Sequence, residues 1–168
     1  MGLNQLLGES EIMSDAINKS VYIYGRDILV SDGIKSEKRF MQHGDTSVYE
    51  HSLNVAYLSL FIARFLNIRV NERAIVRGAL LHDYFLYDWH VKCEKNRKHG
   101  FSHAGRALEN ARRDFALNAV EEDIIKKHMF PLNIAPPKYR ESVIVCIADK
   151  IGAAAETLYL SRILFKIK

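Results

Sequence analysis

The sequence predicts an all-α fold, a bundle of about six helices, on three observations. Apolar residues recur at intervals of three and four along most of the chain. Residues that cap helices stand ahead of most of those runs. No segment carries a convincing period-two alternation, so no strand is expected. There is also no repeat, low-complexity tract or interdomain linker, and residues 1–168 read as a single domain.

Ser10 caps a first helix that runs to about Val30, where "SDG" breaks it. "KSEKRFMQHGDTS" is a polar connection. Thr46 or Ser47 opens a second helix through Leu66, and its stretch "LNVAYLSLFIARFL" is apolar nearly all round, which places it in the core. Asn71 caps a third helix containing "ERAIVRGALLHD". "YDWHVKCEKNRKHG" is a charged loop ended by Gly100. Ser102 caps a fourth helix, "HAGRALENARRDF", with Ala104, Leu108, Ala111 and Phe115 on one face. Asn118 and Glu121 have capping-box spacing for a fifth, which carries acids in its first turn and lysines in its last and stops at Pro131. After the rigid turn "APPKYRES" a last helix, "SVIVCIADKIGAAAETLYLSRILF", runs nearly to the end.

The formal charge of +4 is too small to single out an anionic partner. Basic residues do not alternate with aromatics, so no nucleic-acid polymer is expected as a partner. No apolar stretch is long enough to span a bilayer, and the start of the chain lacks the features of a signal peptide. Cys93 and Cys146 form no CxxC pair, which suits a reducing cytoplasm. The apolar first helix and the tail "LYLSRILFKIK" could bury surface in a homodimer.

The polar residues on apolar helix faces carry the functional signal. His51 shares its face with Val55, Leu58 and Ile62. His82 and Asp83 end the third helix, His103 starts the fourth and His128 ends the fifth. Asp149 lies among Val145, Cys146, Gly152 and Ala153. Buried polar groups cost free energy unless paired or bound to metal. For one such residue a hydrogen bond or an ion pair is the simpler account, with Arg77 or Arg106 as a partner for Asp149. Four histidines and two aspartates from five helices are hard to explain separately. Imidazoles and carboxylates suit Fe, Mn, Zn, Co or Ni, with Mg a further candidate, and six ligands suit two ions better than one. His82 would then bind one ion while Asp83 bridges both.

This order, H…HD…H…H…D, resembles the HD-domain superfamily of metal-dependent phosphohydrolases, over roughly residues 45–160. The contexts "FSHAGRAL", "DIIKKHMFPL" and "IADK" resemble its two-metal subset. The resemblance implies a helical bundle with the metals at its centre and the helix of residues 1–32 packed on it. It implies that His51, His82, Asp83 and Asp149 bind one ion, that Asp83, His103 and His128 bind the other, and that a water or hydroxide bridges them. Two divalent ions are expected as cofactors, with Fe and Mn leading because no thiolate joins the ligands. Asp83, holding the nucleophilic water, is the catalytic residue.

The expected activity is hydrolysis of a phosphate ester or anhydride, with a nucleotide or small phosphorylated metabolite as the partner molecule. Cyclic-dinucleotide phosphodiesterases of the superfamily read HDxxK and carry a GYP signature, whereas here Leu86 replaces the lysine and GYP is absent. Candidate substrate contacts are Arg106, one turn after His103, and Lys150, beside Asp149. His43 could line the pocket mouth, and Asp88 or His90 could protonate a leaving group. The charged group Lys95, Arg97, Lys98 and His99 and the aromatics Tyr84, Phe85, Tyr87 and Trp89 offer further phosphate or base contacts. Two other outcomes share the ligand set: a mixed-valence diiron oxygenase of the same superfamily, and a nucleotide-binding sensor without catalysis.

Overall fold

The computed structural model describes residues 3–87 and 99–158, with side chains from residue 11 onward except at His43 and 99–102. Its order is α1 (Leu3–Leu29), α2 (Asp32–Ser36), a 3-10 turn (Glu37–Arg39), β1 (Met41–His43), β2 (Thr46–Ser47), α3 (Val48–Phe65), α4 (Glu72–Leu81), α5 (His99–Asp114), α6 (Ala119–Lys127) and α7 (Arg140–Thr157). The described residues are all-α apart from the small β1–β2 hairpin.

The starts of α3, α4 and α6 follow from local chemistry. Ser47 and Glu50 form a capping box at α3, and Asn118 and Glu121 form one at α6. The Asn71 side chain accepts from the Ala74 N–H at α4. Each cap satisfies N–H groups that a helix leaves without intrahelical partners.

The centre of the bundle is α4, packed against α1, α3, α6 and α7. Every residue from Ala74 to Leu81 is buried. This includes Arg77, whose guanidinium donates to Glu121 at 3.1 Å and to Asp27 and so compensates its burial. The core gathers Ile17, Val21 and Ile28 of α1, Val55 and Leu60 of α3, Ile75, Val76 and Leu80 of α4, Ile124 and Ile125 of α6, and Ile144 and Val145 of α7.

Some boundaries differ from the sequence reading. The first helix starts at Leu3, ahead of Ser10. The polar connection folds into α2, the 3-10 turn and the hairpin. The fourth helix starts at His99, so Ser102 lies in its first turn and does not cap it. The last helix ends at Thr157, and the residues from 159 onward lie outside the described part. The stretch from Leu53 to Leu66 is not buried all round: Phe65 and Leu66 are exposed, because the encircled position belongs to α4.

Candidate metal centre

Helix ends deliver two of the predicted ligands. His82 is the C-cap of α4, and His128 is the C-cap of α6. The Nδ1 of His82 meets the Ala79 carbonyl at 2.7 Å, and that of His128 meets the Ile125 carbonyl at 2.8 Å. These carbonyls belong to last turns, where acceptors lack helical partners. The contacts place the proton on Nδ1 and leave each Nε2 lone pair facing the centre. His51, one turn into α3, is oriented similarly: Nδ1 meets Glu156 Oε2 at 2.8 Å, and Asn54 Nδ2 donates to the other oxygen of Glu156 at 2.9 Å.

The Nε2 atoms gather around the two aspartates. His51 Nε2 lies 3.1 Å from Asp149 Oδ1 and 3.9 Å from Asp83 Oδ2. His82 Nε2 lies 3.6 Å and 3.4 Å from the same two oxygens. On the other side of Asp83, His103 Nε2 is 3.3 Å and His128 Nε2 3.4 Å from Oδ1. His103 and His128 themselves meet at 2.9 Å. Oδ2 thus faces one pair of imidazoles and Oδ1 faces the other. Donor atoms that share a cation at about 2.1 Å lie roughly 3.0–3.4 Å apart, close to these separations.

His51, His82 and Asp83 form one group of donors that could hold a metal ion, and Asp83, His103 and His128 form a second. Two buried atoms in these groups, His82 Nε2 and Asp83 Oδ1, have no hydrogen-bond partner among the described residues. Such atoms cost about 1–3 kcal/mol each when left unsatisfied, so the residues present fit divalent ions.

The charges are strongly coupled. Burial opposes the ionised form of Asp149, but the hydrogen bond from His51 and the nearness of His82 prevail and its pKa is lowered. Burial likewise opposes Asp83, while the charge of His82 and contacts from His103 and His128 hold it well below the carboxylate range. Burial disfavours protonated His51, yet Asp149 and Glu156 raise its pKa to about 10. For His128 burial wins and the pKa falls, which favours the neutral form that ligates metal.

The other candidates are placed less directly. Arg106 stacks its guanidinium 5.0 Å from the centre of the Tyr87 ring. That wall continues through Phe85, 5.0 Å from Tyr87 and 5.9 Å from His103. Lys150 donates its ammonium to the His128 carbonyl at 2.9 Å and to the Cys146 carbonyl, tying the end of α6 to α7, and lies 3.9 Å from Asp149 Oδ2. Tyr84 and Phe85 are buried, as core packing requires. Arg77 pairs with Glu121 and Asp27, not with Asp149. Asp88, Trp89, His90, Lys95, Arg97 and Lys98 lie outside the described residues, as do the side chains of His43 and His99.

Three more polar side chains surround the centre. Glu156 orients His51. Gln42 Nε2 donates to Asp83 Oδ2 at 2.5 Å. Glu37 is fully buried with no partner for either oxygen among the described residues, and its pKa is raised first by burial and then by the charge of Asp83. Only Glu156 left a trace in the sequence, two helical turns after Asp149 on the same face.

A helical bundle that converges imidazoles and carboxylates on two adjacent positions defines a class of metal-site protein. The HD domain model matches residues 48–154, and the chain belongs to that family, within the superfamily of metal-dependent phosphohydrolases. The match contains all six predicted ligands, while Glu37, Gln42 and Glu156 lie outside it. No curated protein and no solved structure matches the chain. Among the described residues, no helix is long and apolar enough to cross a membrane.

Proposed function

We propose that the chain hydrolyses a phosphate ester or anhydride of a nucleotide or another small phosphorylated metabolite. One observation carries this reading: the two oxygens of Asp83 are divided between two pairs of imidazoles. In this reading His51, His82, Asp83 and Asp149 hold one divalent ion, and Asp83, His103 and His128 hold the other. Bound there, two such ions supply a hydroxide near neutral pH and polarise phosphoryl oxygens.

The chain's own residues prepare that chemistry. Nδ1–H bonds to carbonyls fix the tautomers of His82 and His128, so their donor atoms need little reorganisation. Burial of all six ligands strengthens electrostatic interactions with an anionic phosphate group. Arg106, one turn after His103 on α5, is the phosphate contact, and the Tyr87 ring holds its plane. We read the native ions as Fe or Mn. Among the described residues the thiol of Cys146 donates to the His128 carbonyl at 3.1 Å and is not counted as a ligand.

The test is a panel of nucleotides and phosphoesters, assayed without O₂ on protein loaded with Fe(II) or Mn(II). Release of inorganic phosphate under those conditions is the expected outcome. Turnover that requires O₂, or metal-dependent nucleotide binding with no turnover, would replace the hydrolytic reading with an oxidative or a sensing one.

A further inference from the structure

Asp83 is the residue on which the two halves of the centre depend. A carboxylate turns readily about its Cβ–Cγ bond, because sp³–sp² torsions are broad. A bridging role needs that rotation fixed, with one oxygen toward His51 and His82 and the other toward His103 and His128. The four imidazoles lie 3.3 Å or more from the aspartate oxygens they face, so a closer donor holds that rotation more strongly than any of them.

Gln42 does make a close contact. Its amide donates to Asp83 Oδ2 at 2.5 Å, and both residues are buried. A hydrogen bond to a charged acceptor is among the stronger ones, and here little water competes. The amide acts without changing the charge of the centre. A lysine there would compete with the cations, and a carboxylate would repel Asp83.

The backbone around Gln42 aims it. In the β1–β2 pair Met41 lies opposite Ser47 and His43 opposite Thr46, so Gln42 is the extra residue of an irregular step. Bulges of this kind re-aim a side chain. Ser47 is also the N-cap of α3, and the Val48 N–H donates to the Phe40 carbonyl at 2.8 Å. The hairpin is therefore fixed to the helix that carries His51. It lies ahead of residue 48, where the family match begins.

We propose that Gln42 is a positioning residue that sets the rotation of the Asp83 carboxylate, so that its two oxygens are presented to two different cations. The proposal rests on the two-ion reading above and adds a residue from outside the matched segment. Its test is titration of metal-free protein with Mn(II), followed by calorimetry and by electron paramagnetic resonance, which detects magnetic coupling between ions that share a bridge. The variant is Gln42→Met, which keeps length and approximate volume and removes the donor. Wild type is expected to take two Mn(II) with coupling. Gln42→Met is expected to bind the second ion about 10–100-fold more weakly, the usual effect of removing such a partner, and to lose the coupling. If Gln42→Met does not fold by circular dichroism, Gln42→Asn keeps the amide and the charge but withdraws the nitrogen from Asp83 Oδ2 by one methylene, and is expected to show the same loss. A folded variant with wild-type affinities and coupling overturns the role of Gln42. Wild type that binds fewer than two ions overturns the two-ion reading itself.

Discussion

Asp83 and His128 sit differently in the centre, and that difference can be measured. Asp83 has an oxygen in each half, whereas His128 lies 3.4 Å from Oδ1 only. Asp83→Ala should therefore lose both ions, while His128→Ala should lose mainly the ion it shares with His103. Elemental analysis of the purified variants decides this, and full metal content in both would remove the bridging role. At this scale the six converging side chains were legible because each is polar on an apolar helix face, a pattern that needs only local spacing. Gln42 was not legible, because its partner lies 41 positions away and a glutamine in a polar connection is unremarkable. Glu37 was hidden for the same reason: its burial is made by segments distant in sequence.

Helix caps follow from a few neighbouring residues, and the sequence placed those of α3, α4 and α6 correctly. The hairpin could not be foreseen, because two strands of three and two residues show no period. It persists through its contacts with α3 and Asp83. The approach of α4 to α6, which brings His82 and His128 together, depends on Gly78. A Cβ there would lie 2.6–2.9 Å from three side-chain atoms of Ile124. Gly152, in the small-residue run of α7, is less demanding, since an added Cβ would meet Val55 and His51 at 3.7 and 3.9 Å. Gly78→Ala gains helix propensity of about 1 kcal/mol. It also forces Ile124 to move, and such overpacking costs about 1–3 kcal/mol. The net expectation is a loss of up to about 2 kcal/mol in urea unfolding, together with weaker metal binding, because Ile124 lies one turn before His128. Gly152→Ala is the matched control and should be neutral or more stable by up to about 1 kcal/mol. A Gly78 variant more stable than wild type by that same amount would show that the two helices can separate without cost.

Across the whole molecule the buried charges link folding to pH and to metal. In metal-free protein, ionised Asp149 and Glu156 hold His51 protonated well beyond its ordinary range, to a pKa of about 10. A base whose pKa is raised by folding binds its proton more tightly when folded. Its contribution to stability is thus complete below the unfolded value of 6.5 and disappears as pH rises to about 10. Glu37 adds in the same direction above the ordinary value of 4.5, because burial raises its pKa and folding resists its ionisation. Asp83 and Asp149 act oppositely, and their contribution is lost only as pH falls below the carboxylate range. His128, whose pKa burial lowers, costs stability as pH falls below 6.5. Metal-free protein should therefore be most stable in the weakly acid to neutral range, and its melting temperature should fall between pH 6.5 and 10. Loading reverses this trend, because a cation must displace the proton from His51, so affinity rises over the same interval. Glu156→Gln separates His51 from the other groups. The amide still accepts from Nδ1 but withdraws a negative charge, so the fall in stability should still begin near pH 6.5 but end at lower pH and be smaller, while the Asp83 and Glu37 contributions remain. Melting curves of both metal-free proteins from pH 5 to 10 test this. Parallel curves would mean that Glu156 does not hold the His51 proton, and that the flank beyond residue 154 contributes packing alone.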